Sequence, residues 1–117
     1  MSLRFQKADI SGLQDLSAAG GTALSATTST GRKFKLIEVT VNADENITET
    51  ITVTRVSKLG SDYDDVLAKR DLVSEQHFIF RPQGECLFQA GDEVKVECTA
   101  NEATGEVFYN IKRVELP

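Results

Sequence analysis

The sequence predicts an all-β domain: an antiparallel, jelly-roll-like β-sandwich preceded by a flexible N-terminal arm. Three observations point there. From Phe34 onward apolar residues recur with a period of two, the mark of half-buried strands. The same runs are rich in Val, Ile and Thr, whose branched side chains suit a pleated surface. Gly, Pro, Asn and Asp interrupt them at the short intervals expected of a sandwich or barrel. At 117 residues the chain holds one core, so we divide it into an arm, residues 1–21, and a sandwich domain, residues 22–117.

The arm is set apart by composition. Ser11 to Gly31 is mostly Ser, Thr, Ala and Gly, with Gly20-Gly21 in the middle. Such a stretch buries little apolar surface. Ile10, Leu13 and Leu16 have the spacing of one weak helical turn, and Ala23 to Thr27 reads as an edge strand.

The next strand starts at Phe34. Lys35, Ile37, Val39 and Val41 alternate with Leu36, Glu38, Thr40 and Asn42. Phe34 and Leu36 fall on the wrong parity for one continuous face, which predicts a bulge or a start covered on both sides. Ile47 to Val56 reads as its hairpin partner across an Asp44-Glu45-Asn46 turn. In Asp62 to Leu72, Tyr63, Val66, Leu67 and Arg70 have helical spacing, yet the segment is short and lies between strands; we read it as strand. Gln76 to Phe80 is a strand ended by Arg81-Pro82 and Gly84. A last hairpin joins Val94 to Thr99 with Val107 to Leu116 across Asn101 to Gly105.

Charge and composition narrow the chemistry. The net charge is −5, which opposes binding to nucleic acid through phosphates. The one basic cluster, Arg32, Lys33 and Lys35, reads as the solvated entry to a strand. No stretch approaches the ~20 apolar residues of a membrane span, and Met1 to Ile10 lacks the apolar run of a secretory signal. Asn46-Ile47-Thr48 matches the glycosylation pattern, which we take as chance without such a signal.

Catalysis finds little to work with. The sole histidine, His77, sits mid-strand, and no Ser or Cys lies in a nucleophile-elbow context. We expect no enzyme, no cofactor and no metal. One His and two Cys do not make a zinc site. Asp62, Asp64 and Asp65 are the best candidate for a hard cation, but they lack the glycine turn and distal glutamate of an EF-hand. Cys86 and Cys98 flank a Gly91-Asp92 turn and would face each other if it closed a three-residue hairpin loop; two reduced, buried thiols are the preferred alternative. With no Trp, only Tyr63 and Tyr109 offer a ring on which a sugar would stack, so glycan binding has little support.

One pattern resembles a known group. A small-residue arm with Thr22-Ala-Leu24, then Gly31-Arg-Lys-Phe-Lys-Leu-Ile-Glu-Val-Thr-Val41 and a Thr-rich strand, is similar to small virion proteins of tailed phages and prophages. Tyr63-Asp-Asp-Val-Leu67 and Phe88-Gln-Ala-Gly-Asp-Glu-Val-Lys-Val96 extend the likeness over roughly residues 20 to 116. The resemblance implies a structural or assembly subunit (head-decoration, tail or fibre-associated) of a virion assembled in the bacterial cytoplasm. It implies homo-oligomers and other virion proteins as partners; the composition of the arm, Ser2 to Ala26, further suggests a segment that orders on assembly by adding a strand to a neighbour's sheet. The rival reading is a carbohydrate- or cell-surface-binding sandwich module. A small β-sandwich enzyme built around His77 is a third.

Overall fold

The computed structural model describes residues 6–15, 22–29, 31–101 and 105–116, and for residues 6–15 and 22–29 the backbone alone. Among the described residues nine strands run in order: β1 (Gln6–Asp15), β2 (Thr22–Ser29), β3 (Phe34–Ile47), β4 (Thr50–Val56), β5 (Asp65–Asp71), β6 (Glu75–Phe80), β7 (Leu87–Phe88), β8 (Glu93–Thr99) and β9 (Glu106–Glu115). They form two antiparallel sheets. The first has the order β1-β9-β3-β6, with β7 also pairing β3, and the second has the order β2-β8-β4-β5.

This order is a jelly roll. The antiparallel pairs are nested: β4 with β5, β3 with β6, β2 with β8, and β1 with β9. A single long hairpin of paired strands, rolled over on itself, leaves this arrangement and splits it between two sheets. The core lies between them. Val39, Val41, Val107 and Ile111 of the first sheet meet Ile51, Val53, Val94, Val96 and Cys98 of the second, all essentially inaccessible to solvent.

The alternation that predicted the strands did not predict their partners. Ile47 to Val56 was expected as a hairpin with β3, but β3 continues through Asp44-Glu45-Asn46 to Ile47, and the chain then crosses to the other sheet. Val94 to Thr99 and Val107 to Leu116 likewise belong to different sheets. Both connections are arches. Their inward residues face each other across the core instead of sitting side by side in one ladder. The Asp62 to Leu72 segment is a 3-10 turn at Ser61–Tyr63 followed by β5, so strand wins over helix. Within the expected arm, Gln6–Asp15 runs along β9 from Gln6↔Glu115 to Asp15↔Glu106. That corrects the helical turn at Ile10 and Leu13, since a strand there satisfies the edge of β9; Leu16 lies outside the described residues. The edge strand expected over Ala23 to Thr27 is β2, at the edge of the second sheet.

The bulge is where the parity break placed it. The β3–β9 register shifts between Leu36 and Glu38, so Phe34 and Leu36 point inward before it, and Val39, Val41 and Ala43 after it. Lys35, Ile37, Val39 and Val41 therefore do not share one face. The extra residue turns Ile37 out to solvent.

Candidate binding face

Beneath the start of β3 the core is built of rings and cations. Phe34 and Phe88 are adjacent in the β3–β7 pairing, and their rings stack with centroids 4.6 Å apart at 18°. The Arg113 guanidinium lies 5.1 Å over Phe34, and that of Arg55 lies 5.3 Å over Phe88. The four side chains make a cation–ring–ring–cation stack, which uses the negative faces of both rings. Burial lowers the pKa of Arg113, a shift that Glu115 opposes. Arg55 also donates to the Leu87 carbonyl at 2.7 Å and to Asp65 at 2.8 Å, tying β4, β5 and β7 together.

The Gly91-Asp92 turn performs a second tie at the same end. Asp92 is buried, and its carboxylate accepts the backbone N–H of Lys58 and of Gln89, each at 3.0 Å. Gly91 has φ +94, a conformation that favours glycine, and an added Cβ would also crowd the Lys58 side chain at 3.3 Å. Because β7 belongs to the first sheet and β8 to the second, this turn crosses between sheets. The hairpin register that would have set Cys86 against Cys98 is thereby corrected. Cys98 lies beside Leu24 and Ile51, whereas Cys86 precedes β7, its carbonyl accepting the Leu36 N–H at 2.9 Å. Both thiols are free. Burial, then the charge of Glu49, pushes the Cys98 thiol up to about 12; burial also raises Cys86, against the pull of Arg55.

At the opposite end Glu49 is buried in the β3–β4 arch. It accepts from the Thr99 hydroxyl and the Asn101 N–H, both at 2.8 Å, which joins that arch to the one after β8. A pocket of about 260 Å³ opens there among Thr48, Glu49, Thr50, Asp71, Leu72, Val73 and Asn101.

The sequence-predicted residues are dispersed. His77 is exposed on the outer face of the first sheet, its Nδ1 donating to Asn42 Oδ1 at 2.7 Å. It lines neither the pocket above nor the groove described below. Asp64 accepts the Ser57 N–H at 2.8 Å, Asp65 pairs with Arg55, and Asp62 is exposed. Asp64 and Asp65 thus serve separate structural contacts. Among the described residues no three His, Cys, Asp or Glu side chains are grouped for a metal ion. Tyr63 is 62% exposed in the β4–β5 connection, while Tyr109 packs against the core. Asn46 and Thr48, of the glycosylation pattern, flank buried Ile47.

What sequence reading missed is the outer face of the first sheet. Ile37, Ile79, Leu87 and Phe108 are all exposed on it. A groove of about 510 Å³ runs across β7, β3 and β9, lined by Ile37, Leu87, Val114 and Leu116, with Lys35 and Glu85 among them. The displaced parity at Ile37 was its one visible signal.

No family model and no curated protein matches the chain. Among solved structures it is similar to a chain of infectious bursal disease virus, Gx strain, at 12% identity and a TM-score of 0.45, covering 99% of this chain and 32% of that one. The Gt strain gives 12% identity and 0.39, covering 97% and 33%. A third is the CBM22-1–GH10 modules of an endo-1,4-beta-D-xylanase from Clostridium thermocellum complexed with xylohexaose, at 12% identity and 0.43, covering 94% and 26%. The chain thus spans a third or less of each. Likenesses this distant do not bear on function, and the jelly roll stands on the strand order itself.

Proposed function

We propose that the chain is a non-catalytic structural subunit of a phage or prophage particle, working by binding alone. The observation that carries this reading is the apolar outer face of the first sheet on a jelly-roll frame. Four large exposed hydrophobics gathered on one face suit a contact surface. The strand pattern shared with small virion proteins supplies the setting. The test is made on particles released from the encoding bacterium and banded on a density gradient. The subunit is expected at fixed stoichiometry by quantitative mass spectrometry; its absence from washed particles overturns the reading.

Tyr63 favours a second reading, since an exposed ring in a loop suits sugar stacking. Glycan-array binding that Tyr63→Ala abolishes would favour a carbohydrate- or cell-surface-binding module instead.

A further inference from the structure

We propose that the groove across β7, β3 and β9 is covered by the same groove of a second copy, related by a two-fold axis. On the outer face of the first sheet, Glu38 is paired with both Arg81, at 3.1 Å, and Lys112, at 3.5 Å. On the second sheet Lys95 is paired with Glu97. The two charged residues of the groove, Lys35 and Glu85, have no such partner among the described residues, although they are opposite in sign and line the same depression.

A two-fold interface places the same patch on both sides, so a residue that meets another across it is met in return. One cation and one anion beside four aliphatic side chains make such a patch self-complementary. Lys35 of each copy meets Glu85 of the other, and Ile37, Leu87, Val114 and Leu116 close together beneath them. Charges at the rim and aliphatic groups in the centre are the usual division of an interface. A foreign partner would need the opposite arrangement by coincidence; a second copy carries it already.

This inference does not need the particle reading. A dimer that persists while the chain is missing from purified particles would reject that reading alone. The experiment is sedimentation equilibrium on the purified full chain over a wide concentration range, with circular dichroism to confirm that each variant is folded. The wild type is expected to form a reversible dimer. Lys35→Glu sets like charges against each other at both symmetry-related contacts and weakens association about tenfold. Glu85→Lys does the same. The double variant Lys35→Glu/Glu85→Lys restores association, because each pair is rebuilt with its signs exchanged. Recovery in the double variant is the supporting result. A monomer at every concentration, a closed ring or a trimer, or a dimer indifferent to the single reversals, overturns the proposal.

Discussion

The outer faces of the two sheets are made by the same alternation and differ in how much apolar surface they carry. On β4 and β8 the outward positions are Thr52, Thr54, Lys95 and Glu97, while Ile51, Val53, Val94 and Val96 fill the core. On these two strands the face is polar and solvated, as an antiparallel sheet with one wet side should be, and its one exposed large hydrophobic among the described strand residues is Val66 of edge strand β5, beside Thr54. On β3, β6, β7 and β9 the inward positions are as apolar, but Ile37, Ile79, Leu87 and Phe108 also look outward. The first sheet thus carries apolar residues on both sides, the outer ones set among the Glu38–Arg81 and Glu38–Lys112 ion pairs and the His77–Asn42 bond. Stability needs only the inner side, so the outer apolar residues call for a different explanation, and binding is the one we favour.

If stability resides inside, neighbouring residues on opposite sides of β7 should differ sharply. Phe88→Ala removes the centre of the cation–ring stack and is expected to cost about 3–5 kcal/mol in urea unfolding. Leu87→Ala, one position away and 41% exposed, should cost less than about 1 kcal/mol. Equal losses would erase the distinction between the two sides. Next in size is the tie made by Asp92 in the turn between β7 and β8. Asp92→Ala strands two backbone N–H groups and should cost about 3 kcal/mol, with Asp92→Asn recovering part because one amide oxygen remains to accept.

Exchanging the two outer faces has a smaller effect on stability and a visible one on association. Thr52→Val with Thr54→Val should change unfolding by about 0.5 kcal/mol or less, yet lower solubility by giving the second sheet an apolar face too. Ile37→Thr with Phe108→Thr should do the reverse, raising solubility at similar stability; light scattering at high concentration reads both. Ionisation of the Cys98 thiol has no effect on stability at neutral pH and a measurable one in alkali. Cys98 is held protonated to about 12, against an ordinary 9.0, so its unfolded form gives up the proton first. The stability tied to this thiol is complete below pH 9 and is lost as pH rises from 9 towards 12. Cys98→Val should flatten that decline, and native Cys98 should resist alkylation that the unfolded chain accepts.

The sequence made the strands legible because alternation is a local property. Val94, Val96 and Cys98 announce a face wherever β8 goes, and Phe34 and Leu36 even announce the bulge. Pairing is not local. Val96 lies beside Val53 and Ala26, which alternation along β8 cannot say. Both expected hairpins became arches for this reason: a turn between two half-buried strands reads the same whether they share a sheet or face across a core. The candidate face was hidden more deeply. Ile37 and Leu87 look like core residues by type, and only the register shift and the sheet crossing at Gly91-Asp92 bring them together outside. His77, by contrast, was placed correctly as a strand residue, and its partner is the neighbouring strand's Asn42.

The nested pairing sets an order of events during synthesis. Among the described strands only β4 and β5 are both adjacent in sequence and paired, so they can join as soon as they are made. The pairs β3–β6, β2–β8 and β1–β9 each close a longer loop around the one inside, at rising entropic cost. The final piece, β9, is a central strand that must insert between β1 and β3, both made long before. Until it arrives, the first sheet is split and the flanks of β1 and β3 stand open. A ribosome that pauses before Glu106 therefore exposes two strand edges to any neighbouring chain, and that interval is when this fold is most open to mispairing.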